Sequence, residues 1–543
     1  MGPTRLCVAP RYPQDCPSAL RPTLDFGLGF WPVFRPSSLD TRGRTKTRLT
    51  HCKQTIAVSL TRHYIAHACA RFGSLLFSLA LAAAPPLFAQ THDASRQLSR
   101  DIFKQLIEIN TTDSSGSTTA AAEAMAQRFR DAGFPATHVA MLGPNERKGN
   151  MVARLHGAGS QKPILLIGHL DVVEARRQDW SMDPFEFIEK DGYFYGRGTQ
   201  DMKSGDAIFV TTLIRFKNEN YQPDRDIILV RTADEEGGKS NGVDWLLKNH
   251  RDLIDAEYVL NADGGGVYTR DGKPVIVTVD ATEKLYADFQ LEVTNSGGHS
   301  SLPVPNNAIY HLTDGLARLE RYKFPFELND VTRAFFERTA PTEMPRTAAD
   351  MRAILKTPPN AVAVERLSAN PLYNATMRTT CVATRLDAGH ANNALPQMAR
   401  AIVNCRILPG HTREEVRLDL IKVLADPAVA VRYVADTGEV SDSAPVRHDS
   451  PPVTLRPDVM KPLEQIAAAM WPGAPVIPTM ATGASDGVYT NAAGLPTYGI
   501  SGIAIDFGDV RAHGRDERVG VGSYYGGVEF YDRYLKALTS PSQ

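Results

Sequence analysis

The sequence predicts an α/β fold, a mixed and largely parallel sheet held between layers of helices. Three observations predict it. Segments with apolar residues at helical spacing alternate with short apolar runs rich in branched side chains. Three of those runs end in a histidine or an acid, and the carboxyl ends of strands are where open α/β sheets place ligand-binding groups. After Asp280 the pattern changes to strands of alternating polarity, such as Tyr286 to Val293.

Taken in order, residues 1–89 read as a leader. They carry 11 Lys and Arg against 3 Asp and Glu, with scattered Pro, Arg and Ser and no repeat. Ser74 to Ala84 is an apolar run too short to span a bilayer, preceded by Arg62 and Arg71 and followed by PPLFA. That is a signal-peptide pattern with cleavage expected after Ala89; an uncleaved membrane anchor is the alternative. The expected location is periplasmic or secreted, with no stable membrane span after cleavage. The formal net charge is -1 overall, so the body beyond this basic leader is mildly acidic. It has no Lys/Arg runs, and nucleic acid is not an expected partner.

Leu98, Ile102, Phe103, Leu106 and Ile107 share a helical face, and Ala120 to Gly133 repeats the pattern. Met151 to Leu155 and Pro163 to Ile167 read as strands. The second runs through Gly168 into His169 and Asp171. In extended chain those two side chains point the same way, so Asp171 can hold the imidazole in one tautomer. The plain alternative is a hydrogen-bonded pair at a strand end. YGRGTQDMKSG, Tyr195 to Gly205, is a tight loop around Asp201, and the helix expected over Ala207 to Phe216 offers its positive end to that carboxylate. Ile227 to Val230 is a further strand, ending in Asp234, Glu235 and Glu236. A short helix near Val243 to Lys248 leads to Tyr258 to Leu260, which ends at Asp263.

Right-handed crossovers bring these strand ends to one edge of one sheet. Carboxylates within about 4 Å of one another repel by several kcal/mol at a protein-like dielectric. A cation answers that repulsion. Mixed histidine and carboxylate ligands suit zinc, with cobalt or manganese as substitutes. Of the six cysteines, Cys381 and Cys405 lie outside the leader, in β-like runs separated by a loop with Gly389, Asn392, Asn393 and Pro396. A hairpin would let the two face each other and, in an oxidising compartment, form a disulfide. Two small buried thiols are the alternative.

At these residues the chain resembles the M20 family of metallopeptidases, which includes aminoacylases, glutamate carboxypeptidase, succinyl-diaminopimelate desuccinylase and Gly-Xaa carboxypeptidases. GHLDVV, GRGTQDMKSG, DEEGG, NADGG, GGHSS at Gly297 to Ser301 and HGRDER at His513 to Arg518 occur in family order. The resemblance implies a zinc-exopeptidase catalytic domain in two parts, 90–282 and 443–543, with an inserted α+β lid and dimerisation domain at 283–442. It implies two zinc ions, one on His169 and Asp263, the other on Glu236 and His513, with Asp201 bridging and a cis peptide bond from Asp201 to Met202. Glu235 takes the general-base position and Asp171 supports His169. His299 would reach the neighbouring site of a homodimer to stabilise the oxyanion. Arg406, in NCRILPG, matches an arginine that grips a substrate carboxylate, a task its planar fork suits. Asn393, in NALPQ, and Gly483, in TGASDG, match further substrate contacts, although Ala484 stands where Gly is often seen. The stretch Ile309 to Pro371 exceeds a minimal lid, with helices expected over His311 to Tyr322 and Ala348 to Leu355; it would narrow the cleft or lie apart from it.

Two divalent ions lower the pKa of a shared water from about 15.7 toward about 7, and a carboxylate placed as Glu235 is takes the proton. The expected substrates are dipeptides or short peptides losing a C-terminal residue, with N-acyl amino acids as the alternative. A metal-retaining binding protein without turnover would lack the base, and Glu235 is present.

Overall fold

The computed structural model describes residues 87–159, 161–435, 437–446, 451 and 453–540. The apolar run Ser74 to Ala84 lies outside the described residues. The cleavage point expected after Ala89 falls in the first turn of the helix Leu87–Glu108. The fold described below is that of the compact unit from Leu98 onward. Among the described residues no helix is long and apolar enough to cross a membrane.

The larger sheet has ten strands. In spatial order they are Val139–Leu142, Asn150–Leu155, Arg225–Thr232, Gln161–His169, Tyr258–Asn261, Thr497–Gly499, Lys273–Glu283, Gly266–Arg270 and Ala504–Asp506, with Val476–Ala481 also pairing Lys273–Glu283. Its centre is parallel: Gln161–His169 lies between Arg225–Thr232 and Tyr258–Asn261 and runs with both. The first two strands are antiparallel additions at one side.

Side-chain alternation explains why the central strands read as unbroken apolar runs. Ile164 and Leu166 join one core with Leu229, Leu260, Phe209 and Tyr531, while Leu165 and Ile167 face a second core with Val230, Val259 and Leu246. Both faces are covered, so neither parity can be polar. The helix Lys203–Asn218 lies in the first of these layers and is buried nearly all round.

A second, antiparallel sheet has five strands in the order Thr380–Ala388, Met398–Ile407, Leu285–Thr294, Ala430–Val434 and Val440–Ser441. One face packs Leu285, Phe289 and Val403 against Leu312, Leu319 and Leu420 of the helices Ala308–Arg321 and Arg413–Leu424. Burial therefore alternates residue by residue along Met398–Ile407, as expected of a sheet with one wet face. Cys381 lies opposite Cys405 in register and the two are bonded, as the paired runs suggested.

Four helices, Asp330–Thr339, Pro345–Ile354, Ala361–Leu367 and Pro371–Met377, lie between Ala308–Arg321 and Thr380–Ala388. Their core of Phe336, Met351 and Tyr373 is closed by Ile276 and Ile477, which belong to the ten-stranded sheet. This part of the span 283–442 thus packs on the larger sheet, whereas its strands form the smaller one.

Candidate metal centre

The register fixes the centre. His169 is level with Thr232, and Ile167 with Asn261, so the segments that follow these strands leave the sheet at one edge. His169, Glu235 with Glu236, and Asp263 all lie there. Gly168 is required beside them, because a side chain at that position would run into Arg231 and Asp206, a fully buried ion pair 2.7 Å apart.

Two groups of side chains have the spacing of metal ligands: His169 with Asp201 and Asp263, and Asp201 with Glu236 and His513. Within each group the ligand atoms lie within 4.8 Å of one another, and Asp201 is common to both. His169 Nε2 is 3.2 Å from Asp201 Oδ1 and 3.8 Å from Asp263 Oδ2. His513 Nε2 is 2.9 Å from Glu236 Oε1 and 3.0 Å from Asp201 Oδ2. His513 is in the left-handed region at φ 62°, a conformation uncommon outside glycine, which turns its ring toward the acids.

The donor set fits cations. His169 Nε2 and Asp201 Oδ1 are buried and, despite their closeness, are not aligned for a hydrogen bond with each other or with any described group. Buried atoms of this kind are costly unless something satisfies them. Burial opposes protonation of His169, yet Asp201, Glu235, Asp171 and Asp263 together push it well above the ordinary value. Hydrogen bonds to Asp201 and Glu236 push His513 up to about 10. Protons are drawn to both rings because the pocket is anionic, and divalent ions would relieve the same charge. The peptide bond from Asp201 to Met202 is cis.

Several groups hold these ligands. His169 Nδ1 is 3.0 Å from the main-chain carbonyl of Asp171, while its distance to the Asp171 carboxylate is 3.8 Å. The carbonyl, rather than the expected carboxylate, therefore fixes the tautomer. The Asp171 carboxylate instead accepts the backbone N–H of Glu235, at 3.2 Å, and of Glu236, at 2.9 Å. It anchors the acidic loop. Glu235 Oε2 stands 3.9 Å from His169 Nε2. Burial, reinforced by Asp263, Asp486 and Glu236 and opposed by His169, pushes the Glu235 carboxyl up to about 10.

Glu517 and Asp486 escaped the sequence reading. Glu517 is fully buried, accepts the backbone N–H of Gln200 and Asp201 at 2.6 and 3.1 Å, and pairs with Arg197 at 2.5 Å. Asp486 accepts from Thr232 and Asn241, tying TGASDG to the end of a central strand. The signal was an acid inside each motif already singled out, HGRDER and TGASDG.

The remaining expected residues lie elsewhere. His299 is exposed, its Nδ1 2.7 Å from Ser301 Oγ, and Ser300 N–H donates to the Asn393 carbonyl at 3.0 Å. Arg406 lies over the Tyr286 ring, 4.7 Å from its centroid. Among the described residues no hydrogen bond or ion pair joins these three to the ligand groups. Gly483 borders a cavity that Asp263 also lines.

Residues 165–537 match the family described as Peptidase family M20/M25/M40. The chain belongs to the M20/M25/M40 peptidase family. It is a metallo-hydrolase of that family, with two candidate ligand groups for a dinuclear centre. Among M20-related proteins, it is 28% identical over 388 residues to "Probable carboxypeptidase S-like 2" of Dictyostelium discoideum, covering 69% of this chain and 72% of that protein. It is 30% identical over 366 residues to "N-fatty-acyl-amino acid synthase/hydrolase PM20D1" of Mus musculus, covering 64% and 70%. The M20 family metallo-carboxypeptidase Sso-CP2 from Sulfolobus solfataricus shares the M20 fold, with a TM-score of 0.56, 17% identity, and coverage of 81% of this chain and 99% of that one. Human carnosine dipeptidase 1 does so with a TM-score of 0.53, 14% identity, and coverage of 84% and 99%.

Proposed function

We propose that this protein is an exported, zinc-dependent amide hydrolase that releases the C-terminal residue of dipeptides or short peptides. The observation that carries this reading is the sharing of Asp201 between two histidine–carboxylate groups with Glu235 beside them. Ions held by His169, Asp201 and Asp263, and by Asp201, Glu236 and His513, would supply an electrophile and an acidified water; zinc suits these ligands, with cobalt or manganese as substitutes.

The chain's own residues do the rest. Divalent ions in the two neighbouring groups would offset the burial and like charge that raise the Glu235 carboxyl, and as a carboxylate Glu235 accepts a proton and returns it to the leaving amine. Asp171 holds Glu235 and Glu236 in place through their backbone N–H groups. Arg406 offers a guanidinium to a free α-carboxylate, with Asn393 and Gly483 as further contacts. His299 is exposed on a two-stranded ladder, opposite Ala394 and next to Asn393, and in this reading it serves the site of a second copy in a homodimer. The domain boundaries at 283 and 442 belong to the same reading. The Cys381–Cys405 bond supports export.

A second reading, hydrolysis of N-acyl amino acids, is favoured by the likeness to the N-fatty-acyl-amino acid synthase/hydrolase. The test of amide hydrolysis is Glu235→Gln. The variant is expected to keep its metals by elemental analysis and to lose about 100-fold or more in kcat on a dipeptide. Turnover at the wild-type rate refutes the assignment.

A further inference from the structure

The two ligand groups differ in what holds them. His169 ends a central strand of the larger sheet and Asp263 follows another, whereas His513 lies on a loop between the short strands Ala504–Asp506 and Arg518–Gly520. Apolar packing does little for this loop: Ala512 and His513 are exposed, and Val510 is 57% exposed. The left-handed backbone of His513 is a conformation that a residue with a side chain seldom adopts unaided. Gln200, the residue before Asp201, supplies the missing support. Its Oε1 accepts the backbone N–H of Arg511 at 2.6 Å and of Ala512 at 3.0 Å, the two residues that precede His513. Its Nε2 donates to the carbonyl of Asp509 at 2.9 Å and to that of Arg518 at 2.8 Å, one on either side of His513. Two donors and two lone pairs are all that a carboxamide has, and every one of them goes to the main chain of this loop.

We infer that Gln200 is a positioning residue for one metal site only: its amide sets His513 against Asp201 and Glu236, and the zinc affinity of that group, not of the other, depends on it. The inference rests on the dinuclear reading above. The four contacts bracket His513 in sequence, so a shift of its imidazole must break some of them. One peptide bond joins Gln200 to Asp201, so the same side chain locates the histidine relative to the acid with which it would share an ion, Nε2 to Oδ2 3.0 Å. An exposed loop moves unless it is tied, and a ligand site tolerates only about 0.5 Å of misplacement. The group of His169, Asp201 and Asp263 gains nothing from these bonds. Its histidine belongs to the central sheet, and Glu517 holds the Asp201 N–H whatever the Gln200 side chain does. The Glu236 end of the second group has its own holder, the Asp171 carboxylate. His513 is the ligand left for Gln200 to place.

Gln200→Met tests this, because it keeps the length of the side chain and removes all four bonds. Calorimetric titration of zinc into the metal-free full chain is expected to show two sites in wild type. In the variant one site is expected to weaken about 10- to 100-fold, the usual effect of losing a group that orients a metal ligand, while the other keeps its affinity. His513→Ala identifies the site that survives. It is expected to bind one zinc ion, and adding Gln200→Met to it is expected to change that affinity by no more than about twofold, since the residue that Gln200 places is already gone. A larger loss in that background, or equal loss at both sites of the single variant, is what a general structural role gives, and either overturns the inference. So does a single variant that binds both ions as wild type does. Gln200→Glu keeps the acceptor contacts beside His513 and loses the two donated bonds, and it is expected to weaken the same site about tenfold, the low end of that range. It carries the test if the methionine variant fails to fold, and equal affinities at the two sites relative to wild type overturn the inference there too. A wild type that takes up fewer than two zinc ions overturns the dinuclear reading and the role of Gln200 with it.

Discussion

Asp201 belongs to both ligand groups, whereas Asp263 belongs to one, and the two carboxylates therefore differ in what their loss does. Asp201→Ala is expected to empty both sites, and Asp263→Ala to leave the Glu236–His513 site able to bind. Elemental analysis of purified protein checks this: about two metals per chain for wild type, about one for Asp263→Ala and near zero for Asp201→Ala. Equal stoichiometry in the two variants would contradict the bridging geometry. At this scale the sequence was legible wherever a ligand follows an apolar strand, as His169, Glu236 and Asp263 do. His513 follows no such strand and takes its direction from a left-handed residue, so it was found through its motif alone. Glu517 and Asp486 act through backbone N–H groups and neighbouring side chains. Sequence spacing does not encode such contacts.

Between the strands Lys273–Glu283 and Leu285–Thr294 lies a single residue, Lys284, where the chain passes from the larger sheet to the smaller. Its ammonium is fully buried and donates to the Arg378 carbonyl at 2.7 Å, just before the strand Thr380–Ala388 returns. Burial, helped by Arg406, lowers its pKa from 10.5 to about 7. The unfolded chain therefore holds this proton across the interval where the folded chain has released it, and the lysine's contribution to stability rises with pH through that interval. Lys284→Met is expected to compare best with wild type near pH 7 and to lose that relative advantage as pH approaches 10.5. Denaturant melts of both proteins across this range check it; a difference that does not change with pH refutes it. The central strands and the helices at Ala308–Arg321 and Pro345–Ile354 were legible within a few residues. Strands as short as Thr497–Gly499 and Ala504–Asp506 hold too few residues to show a period. The docking of Phe336 near Ile276 and Ile477 was not legible, because apolar spacing names a buried face without naming what buries it.

Across the whole molecule, the disulfide closes a loop of sequence separation 24 and ties the outer strand of the smaller sheet to its neighbour. A loop of that size corresponds to about 3 kcal/mol in the chain-entropy account, so reduction is expected to lower unfolding stability by about 2 to 4 kcal/mol. Guanidinium melts with and without reductant measure it, and coincident curves would show that the strands hold without the bond. The ligand groups draw on distant parts of the chain: Glu517 grips the backbone of Gln200 across 317 residues of sequence. Synthesis runs from the other end, so a polypeptide still emerging from the ribosome has neither His513 nor Glu517 to offer. Until HGRDER is made the Asp201–Glu236–His513 group is incomplete, and a shorter chain has at most the His169–Asp201–Asp263 group with which to hold an ion.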